Sequence, residues 1–98
     1  MEIKWSELAI ERVSKIIEYI ALDNPNEAEK WVHQLFDYLK KIAPFPRSGR
    51  VLPELPKRVD IKEIIFGNYR VIYRIDSNRL FILTVKNTKQ ILPIEEIK

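Results

Sequence analysis

Three residue types that build many enzyme sites are scarce in this chain of 98 residues, which has no cysteine, one histidine and two glycines. Without cysteine there is neither a disulfide nor a thiolate metal site, and a single imidazole argues against a zinc or redox-metal centre. None of the glycine-rich motifs that bind nucleotides or carry a serine nucleophile occurs. We therefore expect no metal and no cofactor. The histidine, His33, is predicted to be a surface or boundary residue of a helix.

Long apolar runs are also missing. No stretch approaches the roughly 20 residues that span a bilayer, and Met1–Trp5 lacks the basic and apolar regions of a signal peptide. Together with the lack of cysteine, this predicts a cytoplasmic protein that does not bind membranes. Apolar residues make up 46% of the chain, which is enough for a core. The length predicts one domain over residues 1–98.

Charge is mild in total but unevenly distributed. The net charge is +3, yet residues 1–43 hold six lysines and arginines against eight acids, a balance of −2. Residues 44–98 hold eleven against six, a balance of +5. A basic half suits an anionic partner, either nucleic acid or an acidic protein segment. A solubilising surface without a single partner explains the same charges, so charge alone leaves both interpretations open.

Two helices are predicted in the first half of the chain. Ser6 is a typical N-cap, and the apolar residues after it recur at helical spacing until the helix ends near Asp23. Asn24, followed by a proline at the first helical position, is a strong start signal, and Glu27 can reach back to complete a capping box. The second apolar stripe runs to Ile42. Because only one or two residues separate the helices, we expect an antiparallel helical hairpin.

Strands are predicted mainly in the second half. Residues 44–60 contain four prolines, which exclude a regular helix or a central strand, and so long a connection is often functional. The predicted strands are Glu2–Trp5, Ile61–Phe66, Tyr69–Asp76 and Arg79–Lys86, the last three joined by two-residue turns. Residues 92–98 are predicted to form a short helix that opens at Pro93 or an ordered arm. The fold class is therefore α+β, an antiparallel helical hairpin packed on a small antiparallel sheet in the order β-α-α-β-β-β.

The predicted sheet has apolar residues on both faces. Alternation places one set toward the helices, namely Ile64, Phe66, Tyr69, Val71, Tyr73 and Ile75. The other face takes Ile61, Glu63, Ile65, Arg70, Ile72 and Arg74, joined by Phe81, Leu83 and Val85 if Ser77-Asn78 is also a two-residue loop. A sheet with one wet face is normally more polar, so a cover is expected. We favour a protein partner over the chain's own tail, which offers Ile91, Ile94 and Ile97.

The polar residues that could carry chemistry are cations with a tyrosine among them. They are Arg50, Lys57, Arg58, Lys62, Arg70, Tyr73, Arg74, Lys86 and Lys89. Such groups can bind phosphates, and in principle a lysine of lowered pKa with neighbouring arginines can cleave RNA without a metal. Arg70 and Arg74 can equally pair with Glu63 across the strands. Both interpretations stay open at this point.

Short motifs, in a fixed order along almost the whole chain, resemble toxins of the RelE/ParE superfamily. They are Trp5-Ser6, Asp23-Asn24-Pro25, Pro46-Arg47-Ser48-Gly49-Arg50, Pro53-Glu54, Lys62-Glu63-Ile64, Tyr69-Arg70-Val71-Ile72-Tyr73-Arg74 and Ile82-Leu83-Thr84-Val85. The ordered set is specific, although no single motif is. The resemblance implies the toxin of a type II toxin–antitoxin system of the plasmid-stabilisation type. Its partner would be a cognate antitoxin whose flexible acidic or amphipathic segment wraps the toxin in a hetero-oligomer.

Within that superfamily the motifs favour the ParE branch. The resemblance implies that RelE-like members cleave mRNA on the ribosome with second-strand lysines and a third-strand arginine, whereas ParE-like members poison DNA gyrase. Arg70 matches the arginine, but Ile61 and Glu63 align with the two lysines. Asn87 and Gln90 depart from the endings of both branches. If the chain is an RNase, the candidate catalytic residues are Arg70, Tyr73, Lys86 and Lys89.

The resulting hypothesis is a ParE-like toxin that acts by binding, without catalysis of its own. The predicted target-binding or antitoxin-binding residues are Arg50, Arg58, Arg70, Arg74, Phe81, Leu83, Lys86 and Lys89. A RelE-like ribosome-dependent endoribonuclease and an inactive member that only binds its antitoxin are the alternatives. Arg70 is expected to be needed for toxicity but not for folding.

Overall fold

The computed structural model describes residues 1–97. Two helices, α1 (Glu7–Asp23) and α2 (Pro25–Ile42), pack on one face of a five-stranded sheet. Its strands are β1 (Glu2–Trp5), β2 (Arg50–Val51), β3 (Ile61–Phe66), β4 (Tyr69–Asp76) and β5 (Arg79–Asn87), in the spatial order β1-β5-β4-β3-β2. The predicted α+β fold class is confirmed. Within residues 1–97, no helix combines the length and apolar character needed to cross a membrane.

The helix start signals act as predicted, with one exception. Ser6 Oγ accepts a hydrogen bond at 2.9 Å from the backbone N–H three residues later, which caps α1. Asn24 Oδ1 accepts hydrogen bonds from the backbone N–H groups of Asn26 and Glu27, at 3.1 and 3.3 Å. The capping box is not completed, because the Asn24 N–H already donates to the carbonyl of Ile20. One asparagine thus ends α1 and begins α2, which keeps the hairpin turn tight.

The sheet departs from the prediction at its two edges. β1 runs parallel to β5, whereas the other neighbouring strands are antiparallel. β2 is an additional strand of two residues that pairs with β3, with Arg50 opposite Glu63. It lies in the proline-rich connection, where no strand was predicted, because so short an edge strand leaves no periodic signal in the sequence.

The main core lies between the helices and the sheet. Its buried residues are Ala9, Val13, Leu35, Leu39, Ile64, Val71, Tyr73, Leu80, Ile82 and Val85. The predicted helix-facing residues all belong to this layer, since Phe66, Tyr69 and Ile75 pack against the buried set. Trp31 of α2 contacts the rings of Phe66 and Tyr69, with centroids 5.9 and 5.4 Å away. The predicted orientation of β3 and β4 is therefore confirmed.

A register shift moves one residue to the face opposite its predicted one. The pairing of β4 with β5 shifts between Ile72 and Tyr73, which leaves Leu83 as an extra residue on β5. Beyond this bulge the alternation is reversed, and Val85 packs in the main core. Its predicted place on the other face is wrong, because the prediction assumed regular pairing. Phe81 and Leu83 do lie on that other face, as predicted.

The sheet face away from the helices, called the outer face below, is covered by the chain itself. A second buried cluster there consists of Leu52, Ile61, Ile72, Leu83, Leu92 and Ile97. The proline-rich connection and the tail cover this cluster. The prediction that a partner protein covers the outer face is therefore wrong for this part of it. Ile97 is fully buried, whereas Ile91 and Ile94 are 88% and 46% exposed. The tail turns at Ile94–Glu96, a short 3₁₀ helix directly after Pro93, as predicted.

Replacing Ile97 by alanine should test whether the tail is seated on the sheet. Loss of a fully buried isoleucine side chain is expected to lower the free energy of unfolding by about 2–4 kcal/mol. The matched control is Ile91→Ala, at an exposed position of the same tail, which should change it by less than about 0.5 kcal/mol. Urea unfolding of both variants makes the comparison. Equal effects would show that the tail does not pack as described.

Candidate functional site

The cations predicted to form a binding surface lie mostly on or around the outer face. Directly opposed residues on neighbouring antiparallel strands share a face. The relevant pairs are Arg50 with Glu63, Arg74 with Phe81, and Arg70 with Lys86. The structure therefore brings four of the six predicted cations to one side of the sheet. These four cations differ in their access to solvent. Arg70 and Lys86 are bound to carboxylates and are only 10% and 13% exposed.

Arg70 is a buried arginine held by two carboxylates. Its Nη1 and Nη2 donate to the two oxygens of Glu54, both at 2.8 Å, and its Nε donates to Glu63 at 2.5 Å. The side chain is only 10% exposed. The hydrogen bonds to Glu54 are the main reason that the pKa of Arg70 is raised, and they lower the pKa of Glu54. Both groups stay ionised, and Arg70 has no face open to a ligand unless Glu54 moves away.

Glu63 joins a second arginine to the same network. Its other oxygen accepts a hydrogen bond from Arg50 Nε at 2.6 Å. The Glu63 side chain is completely buried, whereas that of Arg50 is 64% exposed. Two guanidinium groups and the carboxylates of Glu54 and Glu63 therefore form a neutral set, which we call the arginine–carboxylate network. The sequence interpretation in which Arg70 pairs with Glu63 is confirmed. Glu54, the bidentate partner, was missed because it lies in the irregular connection.

Tyr73 and Gly49 fix the beginning of that connection. The Tyr73 hydroxyl donates to the carbonyl oxygen of Pro46 at 2.6 Å and accepts from the Gly49 N–H at 3.2 Å. Burial raises the pKa of the phenol. A Cβ at Gly49 would clash with the Tyr73 hydroxyl and lie 2.8 Å from the Glu63 carbonyl oxygen, so only glycine fits. Tyr73, a candidate catalytic residue if the chain is an RNase, is thus buried with both hydrogen-bonding directions satisfied.

Arg74 and Arg58 occupy the rim of the outer face. The Arg74 guanidinium lies 5.2 Å from the ring centroid of Phe81, a cation–π contact, and 3.9 Å from Asp76. It does not pair with Glu63, so that part of the sequence interpretation is wrong. Arg58 forms two hydrogen bonds of 2.9 Å with Asp60, and these hold the pKa of that carboxyl below its usual value. Both arginines remain partly or largely open to solvent.

Lys86 and Lys89 differ sharply in exposure. Lys86 is 13% exposed and lies 3.3 Å from Glu96, whose carboxylate also contacts Arg12 at 3.1 Å and Thr84 at 3.1 Å. Burial opposes ionisation of Glu96, but hydrogen bonds from Lys86 and Thr84 outweigh it and lower the pKa. Lys89 is exposed. Arg12 and Glu96 were not predicted here, since they are 84 residues apart in the chain.

The predicted residues therefore divide into three groups by exposure. Arg70, Tyr73, Leu83 and Lys86 are buried or nearly so, whereas Arg50, Arg58 and Lys89 are exposed and Arg74 and Phe81 are half-buried. Within residues 1–97, no cluster of three histidine, cysteine, aspartate or glutamate residues could hold a metal ion. The exposed group is suited to electrostatic contact with an anionic partner rather than to holding a cofactor.

The architecture, a helical hairpin on a small sheet, is also the fold of two solved toxin–antitoxin structures. The chromosomal ParDE system of P. aeruginosa matches with a TM-score of 0.70 and 19% identity, over 89% of this chain and 95% of that chain. The RelBE2 toxin–antitoxin complex of Mycobacterium tuberculosis matches with a TM-score of 0.57 and 22% identity, over 88% and 95%. At these identities the likeness establishes the fold.

Sequence comparison establishes the family. The model of a family described as "ParE toxin of type II toxin-antitoxin system, parDE" matches residues 3–92. The chain is also 32% identical over 94 residues to "Putative toxin Y4kP" of Sinorhizobium fredii (strain NBRC 101917 / NGR234), which covers 93% of this chain and 92% of that protein. This chain belongs to the ParE toxin family of type II toxin–antitoxin systems. The resemblance seen in the sequence motifs is confirmed.

Arg70→Ala should destabilise the protein rather than act on function alone. The substitution removes the bidentate partner of the half-buried Glu54 and leaves the buried Glu63 with Arg50 alone. The network then carries one uncompensated negative charge, so we expect a loss of about 3–5 kcal/mol in the free energy of unfolding. Arg58→Ala, which breaks an exposed ion pair, is the control and should cost less than about 1 kcal/mol. Urea unfolding measures both. A stable Arg70→Ala variant would restore the sequence-based expectation that this residue is dispensable for folding.

The network should also make stability depend on pH in the acid range. The pKa of Glu54 is lower in the folded protein, so its contribution is fully present above its unfolded pKa of about 4.3 and is lost as the pH falls through the folded value. Glu54→Gln should therefore flatten the loss of stability between neutral pH and about pH 3. Glu95→Gln, at an exposed position, is the control. Urea unfolding of the wild type and both variants across this pH range measures the effect. If the free energy of unfolding depends on pH equally in all three proteins, Glu54 is not the source of the acid-range loss.

Proposed function

We propose that this chain is a ParE-like toxin that acts in the cytoplasm by binding and poisoning DNA gyrase, and that a cognate antitoxin neutralises it. The observation that carries the proposal is the state of Arg70. By resemblance this is the one residue that matches the RNase pattern, and its Nε and both Nη atoms are hydrogen-bonded to carboxylates.

The surroundings of Arg70 argue against phosphodiester cleavage at this site. An RNA phosphate that approached Arg70 would meet Glu54 and Glu63, and like charges repel strongly where water is scarce. Glu63 stands where the RNase pattern has a lysine. Lys62, the nearest lysine in sequence, is 9% exposed and lies opposite Tyr73, which places it on the helix-facing side. Neither Arg70 nor Lys62 is therefore free to stabilise a pentacoordinate phosphorane on this part of the outer face.

Binding to a large partner makes use of what remains exposed. Arg50, Arg58 and Lys89 are exposed, and Arg74 is held in place by its contact with Phe81. Ordered cations at the edge of a surface steer association and set specificity without any catalytic step. The rim of the outer face is accordingly the proposed contact with the target. The antitoxin is the proposed second partner, in a toxin–antitoxin hetero-oligomer.

Pulse labelling after induced expression of the chain tests the mechanism. Thymidine and methionine incorporation are followed together in the same cells, and thymidine incorporation is expected to fall first. The purified protein should then inhibit DNA supercoiling by gyrase. An earlier fall in methionine incorporation would instead favour the ribosome-dependent endoribonuclease. If neither falls, the chain is an inactive member that only binds its antitoxin.

A double substitution on the rim provides the matched variant for that experiment. Arg58→Ala combined with Arg74→Ala removes two partly exposed charges and should weaken growth inhibition while the protein stays folded. Lys40→Ala combined with Lys41→Ala removes two exposed charges from α2 and should leave growth inhibition unchanged. Equal effects of the two double variants would show that the rim does not contact the target.

A further inference from the structure

A cavity of about 360 Å³ lies between α1 and the last part of β5. β1 pairs only with Arg79–Ile82, so β5 beyond this range is not covered by β1, and α1 faces it across the cavity. The side chains that matter for the argument are Arg12, Lys15, Tyr19, Tyr69, Lys86 and Asn87. The cavity is separate from the arginine–carboxylate network, because none of the four residues of that network lines it.

The cavity carries an excess of positive charge. Among residues 1–97, three cations and no acidic residue line it. Arg12 and Lys86 share a single carboxylate, that of Glu96, while Lys15 lies 3.7 Å from Glu11 in an exposed pair that solvent screens. Three positive charges against the carboxylates of Glu96 and Glu11 leave a balance of +1. The shared Glu96 also shows that Arg12 and Lys86 are placed to hold a carboxylate.

Unused hydrogen-bond donors accompany the charge. Arg12 Nε is buried and has no hydrogen-bond partner within residues 1–97. Burying an N–H donor without an acceptor is costly, but because this atom is itself buried, a ligand oxygen reaches it only after a shift of the Arg12 side chain. Burial raises the pKa of Tyr69, which keeps its phenol neutral and able to donate. Asn87 adds an amide group to the lining. The cavity is thus suited to a small oxyanion such as a carboxylate.

The surface next to the cavity is apolar and continues along α1. Tyr19 and Leu22 are 71% and 87% exposed, one helical turn apart. Glu18 and Asp23 flank them and form no ion pair within residues 1–97. A nucleic-acid strand bound in the cavity would bring its next phosphates toward these acids and be repelled. A peptide with one acidic residue followed by apolar residues fits both the cationic cavity and the apolar surface beside it.

We propose that the cavity takes an aspartate or glutamate side chain of the cognate antitoxin, and that apolar residues of the same segment pack on Tyr19 and Leu22. The proposal rests on the proposed function, which supplies the antitoxin as partner. The carboxylate binds Arg12, Lys15 and Lys86 through charge-assisted hydrogen bonds. The segment is amphipathic, so its apolar residues and its charge are both needed for affinity.

Charge reversal at Lys15 is the sharpest test, because the chain offers a matched control. Lys15 is 65% exposed and 3.7 Å from Glu11, and Lys30 on α2 is 69% exposed and 3.8 Å from Glu27. The probe is the purified cognate antitoxin, titrated calorimetrically against the full chain. Lys15→Glu should weaken binding about tenfold, whereas Lys30→Glu should change it less than about twofold.

Two further measurements separate the outcomes. Leu22→Ser should also weaken binding of the antitoxin, and a single-stranded oligonucleotide should not bind more tightly to the wild type than to Lys15→Glu. If the antitoxin binds the wild type and the Lys15 and Lys30 variants equally, the cavity assignment is wrong while the proposed function stands. If the wild type binds no antitoxin at all, both are wrong. Oligonucleotide binding that Lys15→Glu abolishes would overturn the peptide assignment in favour of nucleic acid.

Discussion

The charge of Arg70 is the constraint on which the outer face depends. A guanidinium group this deeply buried is tolerated only if nearly every donor meets an acceptor, and the best acceptors are carboxylates. Glu63 comes from the neighbouring strand, but Glu54 comes from the proline-rich connection, so the ion pairs bind an irregular segment to the sheet. Satisfying one buried charge therefore also fixes the position of a loop that has almost no secondary structure of its own.

The same loop is held to the sheet at two further points. Pro46 and Gly49 bond to the hydroxyl of Tyr73, and Leu52 is buried in the second cluster beneath the tail. Polar and apolar contacts thus alternate along the connection. The functional consequence is that the centre of the outer face is closed. The cations with open surface lie at its rim, which supports the proposed recognition of a target surface.

The periodic parts of the fold were predictable from the sequence, and the irregular parts were not. Helical stripes, the Asn24 cap and the helix-facing residues of β3 and β4 follow from local patterns that repeat every two or 3.6 residues. The bulge at Leu83 leaves no such pattern in the sequence, so the predicted face of Val85 was wrong. Contacts between distant segments are equally invisible, which is why the bidentate partner Glu54 was missed even though Arg70 was recognised as important.

Glu96 links the cations of the cavity between α1 and β5 to the tail that covers the outer face. Its carboxylate contacts Arg12 on α1 and Lys86 on β5, while the next residue, Ile97, is buried on the outer face. An acid that binds Arg12 and Lys86 from outside competes with Glu96 for the same donors. Any such ligand must either share these donors with Glu96 or displace it, and displacement weakens the seating of the tail. Where the ligand displaces Glu96, linkage requires that changes that loosen the tail also favour the acidic ligand. Affinity at the cavity between α1 and β5 and the seating of the tail then report on one equilibrium.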